Sequence, residues 1–459
     1  MLLPACALQS YQPAPVDTAA AATAYLQRST ESPGLKAYLL AHGHVKSDWP
    51  VQRWGLDELT LLAFYYHPDL QVARARAAEA RAQANPALQR RPWGIKPAVA
   101  YHSQKQDYSD SPWSLGFELE IPIASGTRQQ AAVERAQYLA QAAELEVGST
   151  AWRVRSTVRT RMVELKAAQE RVALLEREID ARRALAAALE RRLQAGYAAS
   201  TEVAGARLRL YEAQGELAVG QTAAARARGE LAGSLGVPIE TVGALQLDFA
   251  VTDALPDPLS ERDARGEALR NRVDMRQRLL EFSAADAEVK LEVARQYPTL
   301  SLRPGYMWDQ GDNVWFLAVD LLAPPLLGNA AGIGVAQARR ETAAQVALRD
   351  QAAIIAQTDT ALAAYRQSVA GARSAHQARH AQLARSQQAQ KQFDAGYADR
   401  IDATQSLLEA LAVERNVADA RSSAQHALGR LEDALQRPLS GGPLPVYPAA
   451  AGPAAAALQ

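Results

Sequence analysis

From Thr127 to Leu193 the chain contains no proline and a single glycine, Gly148, among residues dominated by Ala, Leu, Glu, Gln and Arg. These are the strongest helix formers. At 1.5 Å per residue the stretch is a rod of roughly 100 Å, far longer than a globular domain requires. Its second half carries an apolar residue every seven positions: Leu165, Val172, Ile179, Ala186 and Leu193 on one row, with Ala168, Leu175 and Leu189 on the next, where Arg182 interrupts. Such a seam needs a partner helix. Ala195-Gly196-Tyr197 stops the rod, with Gly196 as the C-cap glycine. A second helix starts near Ser200-Thr201-Glu202 and returns. The expectation is a giant helical hairpin over 127–235.

The remaining composition agrees. Of 459 residues 48% are apolar but only 6% aromatic, so alanine supplies most of the apolar surface and close helix packing suits it better than a large globular core. Lys+Arg and Asp+Glu balance at 50 each, which gives no bulk charge for nucleic acid. Cys6 is the sole cysteine and rules out a disulfide framework within the chain. Leu3-Pro4-Ala5-Cys6 resembles the end of a bacterial lipoprotein signal without its charged start, so both a lipidated Cys6 and a chance cysteine fit. Leu321 to Ala338 is free of charge, but Pro324, Pro325, Gly328, Gly332 and Gly334 exclude a spanning helix.

The order of elements occurs twice. Residues 1–54 read as an extended N-terminal arm with at most one short helix. The first repeat, 55–242, begins with a helix capped at Asp57 and broken at His67-Pro68. Strands over about 97–104 and 113–121 follow, then the hairpin. Residues 243–258 are a linker. The second repeat, 259–439, opens with one helix over 261–295, has strands over about 299–308 and 314–322, and ends in a hairpin over 328–437. Ala395-Gly396-Tyr397-Ala398 repeats Ala195-Gly196-Tyr197-Ala198, and Pro438 repeats Pro238, both 200 residues later. The Pro- and Ala-rich tail, 440–459, reads as disordered.

In the clearest strand Trp113, Leu115, Phe117, Leu119 and Ile121 alternate with Ser114, Gly116, Glu118 and Glu120. Strands of about ten residues with one apolar and one polar face suit a barrel wall around a wet lumen. Trp113, Trp308, Trp315, Tyr101 and Tyr306 near the strand ends suit an aromatic girdle. Two hairpins on a soluble helical core are the bland alternative. Four strands cannot close a barrel, and an open edge in lipid is forbidden. A cyclic trimer supplies twelve strands.

The duplication, the Pro-x-x-x-Gly entry to each rod (Pro122/Gly126, Pro324/Gly328) and the Ala-Gly-Tyr tips resemble the TolC family of outer-membrane efflux channels from Leu56 to Leu439. The resemblance implies a mainly α fold with a small β part. As a homotrimer it would form a 12-stranded outer-membrane β-barrel on a periplasmic α-helical barrel. A periplasmic adaptor protein and an inner-membrane pump would be its partners, and it would sit in outer-membrane lipid of a Gram-negative bacterium. Trp152-Arg153-Val154-Arg155 with Val158-Arg159 is similar to the heavy-metal-efflux, CzcC-like branch, although such a row also suits packing or a solvated lumen face. Drug-efflux and type I secretion ducts share the fold. A periplasmic adaptor or a coiled-coil scaffold is the alternative of a different class.

No catalytic constellation or cofactor motif is present, so no enzyme activity is expected. His376 and His380 stand at i, i+4 on the second rod, but no third ligand is evident nearby and no metal site is expected. The tips hold the candidate functional residues. Gly196, Tyr197, Gly396 and Tyr397 would form the turns and dock the adaptor, with each tyrosine packed over its glycine. Asp402 matches the family's acid at the closed periplasmic end, whereas Gln405 stands where the next acid falls. Asp402, Glu202, Asp399 and Arg400 are therefore expected at the gate. The alternative for Glu202 and Asp402 is electrostatic support of a helix N-terminus.

Overall fold

The computed structural model describes residues 11–42, 49–89, 92–104, 111–123, 126–322 and 328–439. Cys6 and the 440–459 tail lie outside them.

The two rods are α5, Gly126–Gln194, and α10, Ala330–Asp394. Each turns back at its tip into a 36-residue helix, α6 (Ser200–Leu235) and α11 (Arg400–Leu435). The heptad seam forms as expected: Leu165, Leu175, Ile179 and Ala186 are buried, and Gly220 of α6 lets its backbone rest on Val172 and Leu175. Leu193, at the tip of the hairpin, departs from it and is exposed.

The return helices cover only the lower half of each rod. Beside the upper half run α4 (Pro68–Gln83) and α9 (Val273–Ala294). Ion pairs stitch these layers: Arg81 to Glu144, Lys290 to Glu134, and Arg339 to Glu288. The neighbour order is thus α4–α5–α9–α10 above and α6–α5–α11–α10 below.

Beyond the rods lies one antiparallel sheet of four strands in sequence order: β1 Gly94–Tyr101, β2 Trp113–Ile123, β3 Thr299–Asp309 and β4 Asp312–Leu322. β1 lies three residues earlier than expected at each end, pairing Gly94 with Glu120 and Tyr101 with Trp113. Pro122 does not end β2; it sits within the strand opposite Ser301. The β2–β3 ladder lapses only around Pro304, which has no N–H to donate.

Short helices pack where the return helices end. α3 (Leu56–Tyr66) joins the middle of α5 and the end of α6 in one core containing Leu59, Leu62, Phe64, Val158, Met162, Leu165, Leu231 and Leu235. α8 (Glu261–Asn271) joins α10 and α11 in a second core around Ile354, Leu362, Tyr365, Leu428 and Leu431. Several expectations are corrected here. The N-cap of α3 is Gly55, not Asp57, and Glu58 accepts the Gly55 N–H at 3.0 Å. The single helix over 261–295 is two, because Arg272 adopts extended backbone, as His67 does between α3 and α4. The N-terminal arm is not extended. It forms α1 (Thr18–Leu26) and α2 (Pro33–Ala41), whose Leu35, Tyr38 and Leu39 are buried against α3. The linker is ordered as well: Trp54 pairs with Leu247, a short helix α7 (Ile239–Gly243) opens the segment, and Gln425 and Tyr365 hydrogen-bond to Ala254 and Pro256.

Candidate functional site

Three places on the molecule bear on function: the sheet, the belt around the short helices, and the tips.

The register places most of the large apolar residues of the sheet on one face; Met307, Val314 and Phe316 are exceptions, and the Phe316 ring covers Gly305 on the other face. Ile95, Val99 and Tyr101 of β1 lie opposite Leu119, Leu115 and Trp113 of β2, while Leu302 and Tyr306 of β3 lie opposite Val319 and Trp315 of β4. This face is bare; Trp315 is 78% exposed. Tyr101 and Trp113 stack edge to face at 5.0 Å, and Tyr306 contacts Trp315 at 4.8 Å, so the expected aromatics form a band at the end far from the rods. The opposite face carries the charges. Lys96 reaches Glu120 at 2.7 Å, and Arg303 joins Glu118 at 3.1 Å to Asp320 at 2.6 Å. Ser114 is buried there, donating to Asp309 and accepting from His102 Nε2 at 2.8 Å. Serine donates to the carboxylate, so the trio lacks the order of a nucleophilic triad. Among the described residues, β1 and β4 each leave one edge unpaired.

At the belt, Trp152, Val154, Arg155, Val158 and Arg159 of the row are buried, while Arg153 is exposed. Arg155 and Arg159 are buried and flank the buried Glu432 of α11 at 3.6 and 3.2 Å. Arg159 also donates to the Gln425 carbonyl at 2.9 Å and side chain at 2.7 Å. Trp152 Nε1 and Ser156 Oγ donate to Asp433 at 2.9 and 2.7 Å. Burial pushes the Asp433 carboxyl up, against those two hydrogen bonds, and pushes the Arg159 guanidinium down against the pull of Glu432. Glu432, Asp433 and Gln425 carry no pattern of their own in the sequence; the residues of α5 that they bind here are more than 250 positions away.

At the tips Gly196 and Gly396 adopt φ of +79° and +78°. Tyr197 N–H donates to the Arg192 carbonyl and Tyr397 N–H to that of Gln392, both at 2.8 Å, which closes each rod in the same way. The tyrosines do not pack over the glycines. Tyr197 and Tyr397 are almost fully exposed, and among the described residues nothing beyond the glycines' own sequence neighbours comes within 4 Å of either would-be Cβ. Asp399 is the N-cap of α11, accepting from Ile401 N–H, and forms an ion pair with Arg192 of α5. The two tips are therefore side by side, joined further by Leu185, Ala188 and Ile401. Arg400 lies over the Phe393 ring at 6.0 Å. Glu202 and Asp402 occupy the first turns of α6 and α11. Glu202 lines a groove of about 410 Å³ with Arg182, Arg209, Ile401 and Gln405; Asp402 is exposed outside it.

This architecture is that of the outer-membrane efflux channels. Residues 62–237 match the family model "Outer membrane efflux protein". That match falls within the first of the two repeats. Among solved structures it is similar to the outer-membrane channel OprN (22% identity, TM-score 0.67, covering 83% of this chain and 89% of that one). CusC (17%, 0.68, 89% and 97%) and the outer membrane protein VceC of Vibrio cholerae (20%, 0.66, 83% and 95%) are also similar. Identities this low speak for the fold. No curated protein matches the chain.

Proposed function

We propose that the chain is one subunit of a trimeric, passive export duct in the outer membrane of a Gram-negative bacterium, with its rods in the periplasm, fed by an inner-membrane pump through a periplasmic adaptor. The inverted sheet carries this reading. Its apolar face is bare while its charged residues are paired on the other, the reverse of what water rewards and what lipid outside and water inside require. Among the described residues no helix is long and apolar enough to cross a membrane, so the sheet is the element that would enter it. The unpaired edges of β1 and β4 would be closed by neighbouring copies.

The tips would form the periplasmic gate. Asp399 and Arg192 would hold the two hairpins of one subunit together, Asp402 and Glu202 would lend the passage negative charge, and Arg400 would add a polar contact. Exposed Tyr197 and Tyr397, presented by Gly196 and Gly396, would meet the adaptor. Cys6, if lipidated, would tether the N-terminal arm beside the barrel. Trp152, Arg155 and Arg159, buried in that row, pack the subunit and identify no cargo.

Extraction from outer membranes and mass measurement in detergent test the proposal. Three copies that conduct ions in a planar bilayer are expected. A monomer recovered from the periplasm without detergent would overturn it.

A further inference from the structure

The chain has seven histidines, and two of them face each other on α10. His376 and His380 stand one helical turn apart, with ring centroids separated by 4.8 Å and planes inclined at 64°. Both are exposed, on a continuous 65-residue helix.

Two imidazoles sharing a metal at about 2.0–2.1 Å place their ring centroids roughly 4.5–5.2 Å apart, from square-planar to tetrahedral angles. The observed separation falls within that window before any metal arrives. Helical i, i+4 spacing is a known way to hold two histidines on one metal. We infer that His376 and His380 form a two-point chelate for a borderline divalent transition-metal cation, Cu²⁺ in preference to Ni²⁺ or Zn²⁺.

The surroundings define the kind of site. His376 lines a cavity of about 640 Å³ between α5, α10 and α11, with Glu414 across it and Arg373 and Arg379 on its own helix. Glu414 is engaged by Arg177 at 2.7 Å, and Glu409, further along, by Gln382 at 3.0 Å and Arg385 at 3.5 Å. Among the described residues no group of three His, Cys, Asp or Glu could enclose a metal. The remaining coordination positions go to water, and the nearby arginines oppose a cation. The chelate is therefore open and readily exchanging, able to take a cation and to release it, rather than a structural metal centre. It does not depend on the chain being an export duct.

The test is Cu²⁺ titration of the untagged, detergent-solubilised protein in a Cys6→Ser background, followed by electron paramagnetic resonance. The expected spectrum shows two equatorial nitrogens. His376→Ala and His380→Ala should each weaken binding by more than about tenfold and leave one nitrogen. Alanine suits an exposed helical position, and circular dichroism checks that the rod persists. His67→Ala, on the belt, should leave binding unchanged. Cu²⁺ affinity in both α10 variants equal to that of the parent protein overturns the inference. So does a loss with one variant but not the other, which would describe a single-ligand contact and leave the ring pair as a stacking interaction.

Discussion

Arg159 Nε lies 3.2 Å from Glu432 Oε2, and both side chains are almost wholly excluded from solvent. This contact joins the middle of α5 to the end of α11, one hairpin to the other. Arg155 approaches the same carboxylate oxygen at 3.6 Å. Glu432→Gln should therefore leave two buried guanidinium groups without a counter-charge. The expected loss is about 3–5 kcal/mol, read as a lowered melting temperature by circular dichroism in detergent. A loss of less than about 1 kcal/mol would mean that water enters the belt and replaces the carboxylate.

Asp433, the next residue, predicts a pH dependence of a particular sign. Burial raises its folded-state pKa above the unfolded value of 3.8. The folded state then holds the proton more tightly than the unfolded chain. Its contribution to stability rises as pH falls through the folded pKa and levels off below the unfolded one. Asp433→Asn removes this contribution. The melting temperature of wild type relative to the variant should climb on acidification. A difference that stays flat, or falls, would contradict the assignment.

Three glycines with positive φ give a graded series. Gly196→Ala and Gly396→Ala meet no neighbouring atom, so only backbone strain opposes them, at about 1 kcal/mol each. Gly236→Ala, at the end of α6, adds a contact at 3.0 Å with the Tyr66 carbonyl, which belongs to backbone and cannot swing away. It should cost more than either tip variant. Equal melting temperatures for all three would show that the α3–α6 junction yields.

The Arg192–Asp399 ion pair ties the first tip to the second, and both side chains are partly exposed. Its removal should change stability by no more than about 1 kcal/mol. If it helps hold the gate shut, Arg192→Ala should raise single-channel conductance in planar bilayers while leaving the assembly intact. Asp402→Ala should reduce cation preference in the same recordings. Unchanged conductance in the first and unchanged selectivity in the second would leave Asp399 as a helix cap and Asp402 as first-turn support.

The elements with a strong local period were legible in the sequence. The seam through Leu165, Leu175 and Ile179 called for a partner and found α6; the alternation from Trp113 to Ile121 fixed the faces of β2. Features set by distant residues were not. The break at Arg272 has no proline to announce it, and depends in part on Gln436, whose side chain accepts the Val273 N–H at 2.7 Å from the far end of the repeat. The Arg155–Arg159 pair was visible as two arginines, but nothing local distinguishes a solvated pair from one neutralised by a glutamate on α11. The tyrosines at the tips were expected to cover their glycines, yet both rings stand almost wholly in solvent. Alternation located β1 only to within three residues, since Pro97 looked like a start and is an interior residue.

The chain keeps four elements abreast from end to end: four strands, then α4–α5–α9–α10, then α6–α5–α11–α10, with both flanks open among the described residues. It is shaped like the stave of a cask. Whatever number of copies closes one level closes every other, with no symmetry mismatch to absorb where strands give way to helices. The same uniformity carries a hazard. A single subunit with a damaged flank would open a seam along the whole length of the assembly, so such a variant, co-expressed with sound copies, would spoil ducts in which it is the minority.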